Sequence, residues 1–178
     1  EPLSNLDAKL RRRVREDIRE LQQRLNLTVA YVTHDQEEAL AVSDRIIVMS
    51  NAVIAQEGTP RELYEQPADL FVADFIGDSN IVDAEIVSIS DGIATVRLSN
   101  ILLRLPHRGL KEGPAKLSLR PEAIAIHSAD TASEGLVGEV MKAAYLGNHM
   151  EYSIRTEAGL LFVMNAEVSQ PLAIGTAV

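Results

Sequence analysis

The chain has 178 residues, with 17 Lys and Arg against 26 Asp and Glu, a formal charge of −9. That length suits one or two domains with a real core, and 46% hydrophobic with 24% charged residues is the balance of a globular protein. The acidic excess argues against general binding of nucleic acid or anionic membrane. No apolar run approaches the ~20 residues needed to cross a bilayer, and no signal segment opens the chain. The absence of cysteine excludes disulfides, thiolate zinc sites and cysteine nucleophiles, and fits a cytosolic protein. The first residues, Glu1-Pro2-Leu3, lack a Met and read as the start of a fragment of something longer.

The first predicted element is a helix. Leu6, Leu10, Val14, Ile18, Leu21 and Leu25 recur every three or four residues as one apolar stripe over five to six turns. Ser4 is the expected N-cap, with Asp7 three residues on as in a capping box. Arg11, Arg12, Arg13, Arg15, Arg19 and Arg24 lie mostly off the stripe, which makes them a solvated face or a phosphate patch. Thr28–Val32 is short, apolar and β-branched, the pattern of a buried strand. It runs into a second helix, with Thr33 as cap and Gln36 as its reciprocal partner. Helix, strand and helix with tight joints is the grammar of an open α/β sheet.

Arg45–Met49 and Ala52–Gln56 are expected to form a hairpin around Ser50-Asn51. Thr59-Pro60-Arg61-Glu62 starts a third helix, with Thr capping and Pro at the first position. A fourth short helix is expected through Leu70, Phe71, Ala73, Phe75 and Ile76, stopping at Gly77. Only two of the ten glycines precede residue 79, and helical periodicity gives way there to short alternating runs. The shift places a domain boundary near Gly77 to Asn80, separating residues 1–78 from 79–178.

Beyond the boundary, strands are expected at Ile81–Ile89 and Ile93–Leu98, joined through Ser90-Asp91-Gly92. Further strands are expected at Ile101–Leu105, Ala115–Leu119, Ala123–Ile126, Leu136–Ala144, Met150–Thr156 and Leu160–Val163, with turns at Gly147-Asn148 and Ala158-Gly159. About eight short strands over this length make a small barrel or a sandwich.

His34 is the position with most chemical promise. It follows the predicted strand and opens the next helix, where α/β sheets bind ligands and where helix N-termini favour anions. A neutral imidazole there could donate to a phosphoryl oxygen or a water; the alternative is an ordinary surface histidine. Glu1, ahead of the first helix, could act as a general base. His107, His127 and His149 are too scattered for a metal site. Glu37-Glu38 points two carboxylates ~100° apart on a helix, which favours solubility over paired acid–base work. No G-x-S-x-G and no phosphate loop of the G-x-x-x-x-G-K-S/T kind occurs, and the seven aromatics form no stacking platform.

In order, Glu1-Pro2-Leu3-Ser4-Asn5-Leu6-Asp7 and Val32-Thr33-His34-Asp35-Gln36-Glu37-Glu38-Ala39 resemble the nucleotide-binding subunit of an ATP-binding-cassette importer. Gly58-Thr59-Pro60 and Phe71-Val72-Ala73-Asp74-Phe75-Ile76-Gly77 resemble the tail of the same ATPase domain. Leu119-Arg120-Pro121-Glu122, Tyr145-Leu146-Gly147 and Tyr152 resemble the family's TOBE accessory domain. The resemblance covers essentially the whole chain. It implies part of a P-loop α/β ATPase domain at 1–78 and an all-β, OB-like TOBE barrel at 79–178, serving regulation or dimerisation.

The resemblance also implies roles. Glu1 matches the catalytic glutamate, His34 the switch histidine at the γ-phosphate, and Ser4, Asn5, Leu6 and Asp7 the D-loop that meets the partner subunit. ATP and Mg2+ would serve the full protein, with no metal held by these residues. The partners would be a second ATPase subunit, integral membrane permease subunits and, indirectly, a solute-binding protein, at the cytoplasmic face of the membrane; no nucleic acid is expected. The solutes of such importers include polyamines, ferric iron, sugars and sulfate, with polyamine or ferric iron favoured here. The phosphate loop, Q-loop, signature motif and magnesium-binding Asp are absent from this sequence and are expected upstream of Glu1. The fragment alone is therefore expected to bind and hydrolyse no ATP, and residues 1–55 to self-associate or stay partly disordered. A different reading makes 79–178 an oxyanion-type ligand sensor, as in molybdate-binding relatives of the domain; an oligonucleotide-binding barrel is disfavoured because that half is net acidic.

Overall fold

The computed structural model describes residues 7–127 and 135–178. The chain divides into two compact units between Gly77 and Asp78.

The first unit opens with α1 (Ala8–Leu25). Asp7, not Ser4, is its N-cap: the carboxylate accepts from the Leu10 amide at 2.9 Å. Asn26, left-handed at φ 50°, closes the helix. The expected strand at Thr28–Val32 is absent. Its backbone joins no ladder, and Val29 and Val32 are 50% and 79% exposed. A strand exists only by pairing, and the hairpin of this unit pairs with itself. The apolar stripe of α1 also faces outward at Leu10, Ile18, Leu21 and Leu25.

The second helix, α2 (Gln36–Val42), is capped by Asp35 rather than Thr33, through its bond from the Glu38 amide. Gln36, freed from a capping role, accepts from the Gly77 amide at 2.6 Å. Strands β1 (Ile46–Ser50) and β2 (Val53–Gly58) form the antiparallel hairpin, turning at Asn51-Ala52, one residue later than expected. Both turn residues have positive φ, as a tight two-residue turn of this hand requires. Thr59 and Glu62 form a reciprocal capping box at the start of α3 (Pro60–Glu65). Asp69 caps α4 (Leu70–Phe75). Ile46, Val48, Leu63, Val72 and Ile76 make the small core beneath the hairpin.

The second unit is all β. Its first sheet holds β3 (Asn80–Ser90), β4 (Ile93–Leu98), β5 (Ile101–Pro106) and β6 (Gly113–Leu119), in the order β5-β4-β3-β6. Its second sheet runs β7 (Gly138–Tyr145), β8 (Met150–Thr156) and β9 (Gly159–Asn165) in sequence order. All pairings are antiparallel. The expected strand at Ala123–Ile126 is replaced by a 3-10 turn over Pro121–Ala123 and irregular chain. Pro121 occupies the first position of that turn and has no N–H to give a ladder. Seven strands are described here, not eight.

Alternation of burial explains which faces meet. Met150, Tyr152 and Ile154 on β8 point inward with Val140, Leu161 and Val163, and pack with Val82 and Leu98 of the first sheet. The Tyr152 hydroxyl keeps its polar end satisfied by accepting from the Leu172 amide at 3.1 Å. The outer side of β7 is covered by the chain's last residues. Gly138 and Val178 exchange amide-to-carbonyl bonds of 2.8 and 2.9 Å, and Val140 N–H donates to Thr176 O at 3.0 Å.

Candidate functional site

Of the residues that the sequence marks for chemistry, Glu1, Ser4, Asn5 and Leu6 lie outside the described residues. Asp7 is spent on capping α1. His34 stands at a bend before α2, exposed, on irregular chain rather than at the end of a buried strand. Among the described residues no three His, Asp or Glu side chains gather as a metal ion would require.

The residue that sequence reasoning misjudged is Glu38. Far from serving solubility, its carboxylate is 4% exposed. Oε2 accepts from Tyr31 Oη at 2.9 Å and from Thr33 Oγ1 at 3.0 Å. Oε1 faces Arg15 Nη1 at 3.1 Å, with Arg11 Nε at 3.8 Å. A buried carboxylate is tolerated only when paired and hydrogen-bonded, and this one has both. Burial, then the hydrogen bond to Glu38, pushes the Tyr31 phenol above its ordinary pKa, so it stays a donor.

Arg11 and Arg15 are therefore part of an internal ion cluster instead of a solvated face. Arg19 is also engaged, its guanidinium donating to Asp44 at 2.9 Å. That hydrogen bond, partly opposed by desolvation, holds the Asp44 carboxyl below its ordinary pKa. The one signal available in the sequence was spacing: Arg11, Arg15 and Arg19 recur every four residues, on one side of α1.

His34 sits inside this arrangement. Thr33, just before it, donates to Glu38, and Thr33 Oγ1 accepts from the Asp35 amide at 3.0 Å. Asp35, just after it, accepts from the Glu38 amide at 3.0 Å. Both neighbours of the histidine are thus tied to one buried residue while its ring meets solvent.

In the second unit, Leu119-Arg120-Pro121-Glu122 spans the end of β6 and the 3-10 turn, with Pro121 buried, and Tyr145-Leu146-Gly147 turns β7 into β8. Residues 117–178 match the TOBE domain. The TOBE match thus takes in the end of β6, the 3-10 turn and the whole second sheet.

Along its length, the chain is similar to the ATP-binding subunits of import systems. It is 55% identical over 173 residues to the Fe(3+) ions import ATP-binding protein FbpC 1 of Rhizobium meliloti (strain 1021), covering 97% of this chain and 48% of that protein. It is 53% identical over 176 residues to the Fe(3+) ions import ATP-binding protein FbpC of Brucella melitensis biotype 1, covering 99% of this chain and 49% of that protein. The spermidine/putrescine import ATP-binding protein PotA of Ruegeria pomeroyi is 40% identical over 170 residues, 95% of this chain and 46% of that protein. The chain spans about half the length of the curated relatives it matches. The resemblance read from the sequence motifs is borne out by these relatives and by the TOBE match.

A shallow cavity of about 350 Å³ opens beside the TOBE strands β7 and β8, lined in part by Lys142, Glu151, Tyr152 and Phe162. Its lining holds one Lys and one carboxylate, a poor charge balance for an oxyanion.

Proposed function

We propose that the chain is the carboxyl-terminal part of the ATP-hydrolysing subunit of an ATP-binding-cassette importer. Residues 1–78 complete its P-loop ATPase domain, and residues 79–178 form an OB-like TOBE barrel for regulation or dimerisation. The similarity to Fe(3+) import ATP-binding proteins along 97% of the chain carries this reading. The transported solute is ferric iron, with a polyamine as the second choice on the more distant likeness to PotA.

In this reading Glu1 takes a proton from the attacking water and His34 donates to the γ-phosphate oxygen, the region of charge in phosphoryl transfer. Ser4, Asn5, Leu6 and Asp7 meet the second ATPase subunit of a homodimer. Permease subunits receive the closing motion at the cytoplasmic face of the membrane, and a solute-binding protein delivers the cargo. Cradling a triphosphate takes a loop of backbone N–H groups and a Lys, and no such motif occurs in this sequence. Nucleotide and Mg2+ are held by other segments of the full protein, so the chain alone binds no ATP at micromolar concentration in calorimetry.

The test is hydrolysis by the full subunit with its permease. His34→Ala and Glu1→Gln should each lower kcat by at least about 100-fold, the usual worth of a positioned acid–base group. Uptake of radioactive ferric iron in cells lacking the gene should return with the wild-type subunit and not with either variant. Full hydrolysis by His34→Ala, or restoration of spermidine uptake alone, would overturn the catalytic or the solute assignment respectively.

A further inference from the structure

We infer that Glu38, held by Arg15, is a positioning residue that fixes where the His34 ring is presented. The inference rests on the reading of His34 as the group that meets the γ-phosphate.

Two bonds from the two sides of His34 converge on Glu38, and a third joins those two sides to each other. The side chain of Glu38 accepts from Thr33, the residue before the histidine. The Asp35 side chain, from the residue after it, accepts from the Glu38 amide. Thr33 and Asp35 are further joined through the Asp35 amide and Thr33 Oγ1, across the histidine itself. With residues 33 and 35 pinned, the Cα–Cβ direction of residue 34 is set by a buried anchor. His34 itself is exposed.

The choice of a carboxylate is informative. A buried ion pair often stabilises no more than an apolar side chain of the same volume, so stability alone gives little reason for one here. What a carboxylate adds is direction: it fixes two hydroxyl donors on one oxygen and a guanidinium on the other. Arg15 lies on α1, so the same anchor sets the His34 segment against the helix that Asp7 begins. Misplacing a catalytic group by about 1 Å can cost about 100-fold in rate. The anchor therefore acts on the chemical step through His34 and makes no contact of its own with nucleotide.

The experiment is a double-mutant cycle in the full ATPase subunit with its permease, read in single-turnover and steady-state hydrolysis. Glu38→Gln should lower kcat about ten-fold or more, with KM for ATP moving less than about two-fold because ground-state contacts are untouched. In a His34→Ala background the same substitution should change the residual rate by less than about two-fold, since an anchor has nothing left to place. Thr33→Val, which removes one bond to Glu38, should follow the same pattern to a smaller extent. If Glu38→Gln fails to fold, the Thr33→Val cycle against His34→Ala decides by the same criteria. Multiplicative losses, or full kcat in Glu38→Gln with His34→Ala impaired, overturn the inference while leaving the role of His34 intact. Full activity in His34→Ala overturns both.

Discussion

Asn80 and Phe162 are 82 residues apart in sequence and joined by two hydrogen bonds: the Asn80 carboxamide donates to Phe162 O at 2.8 Å and accepts from Phe162 N–H at 2.7 Å. The amide also donates to Leu119 O at 3.2 Å, and the residue is 8% exposed. One side chain on β3 thus acts as a backbone surrogate for β9, fastening the first sheet of the β unit to the second. Asn80→Ala strands the N–H and C=O of Phe162 in a buried place. At about 1–3 kcal/mol for each unsatisfied group, the variant should lose about 2–6 kcal/mol. Chemical denaturation followed by tyrosine fluorescence measures this, and a loss below 1 kcal/mol would mean that water replaces the bonds.

Tyr31 should titrate late. Burial first, and then its bond to Glu38, raise the phenol's pKa in the folded chain above the ordinary tyrosine value. The sign for stability follows from linkage. This contribution is complete below the unfolded pKa near 10 and is lost as pH rises through the higher folded value. Absorbance titration at 295 nm should place the Tyr31 step above the ordinary tyrosine value near 10. Glu38→Gln should move it part of the way back, since desolvation persists when the anion is gone. An unmoved midpoint would show that burial alone sets it.

Much of this architecture is legible in the residues themselves, where the cause is local. Thr59-Pro60-Arg61-Glu62 carries its whole capping box within four residues, and the box forms. Ile93–Leu98 and Met150–Thr156 alternate with period two, and their strands run to the expected residues. What failed was decided by partners elsewhere. Thr28–Val32 has strand composition, but among the described residues of the first unit no strand pairs with it. Glu38 reads as a surface acid until Arg15, Tyr31 and Thr33 fold around it. Asn80 reads as linker, since nothing near it in sequence announces Phe162 as its partner.

Two single-atom changes should have opposite effects. Ala52, in the β1–β2 turn, has φ 62°, a left-handed conformation that costs an L-residue about 1–2 kcal/mol. Ala52→Gly should relieve part of that and raise the midpoint of thermal unfolding. Gly138 faces β8 so closely that a Cβ would stand 2.5 Å from Ile154 Cγ2 and 3.2 Å from Arg155 O. Gly138→Ala should therefore lower stability by about 1–3 kcal/mol, the usual range for overpacking. Differential scanning calorimetry on both variants gives the comparison. A stabilised Gly138→Ala would show that β7 can shift to make room.

The chain taken alone should associate with copies of itself. Leu21, Leu25, Val29 and Val32 are 43%, 55%, 50% and 79% exposed, and exposed apolar side chains gain by being covered. Light scattering across a concentration series should give a mass above that of one chain. Leu21→Lys with Val32→Lys should return it toward the monomer. A concentration-independent monomer in the unaltered chain would dismiss the expectation.

The residues before and at Val178 lie along β7 as an additional hem. Because the start of that margin is already sewn shut, an incoming strand from another molecule finds the amides of Gly138 and Val140 taken. β-Sheet extension between copies of this module cannot start at Gly138 or Val140 while residues 175–178 lie there, and trimming those four residues would open that stretch.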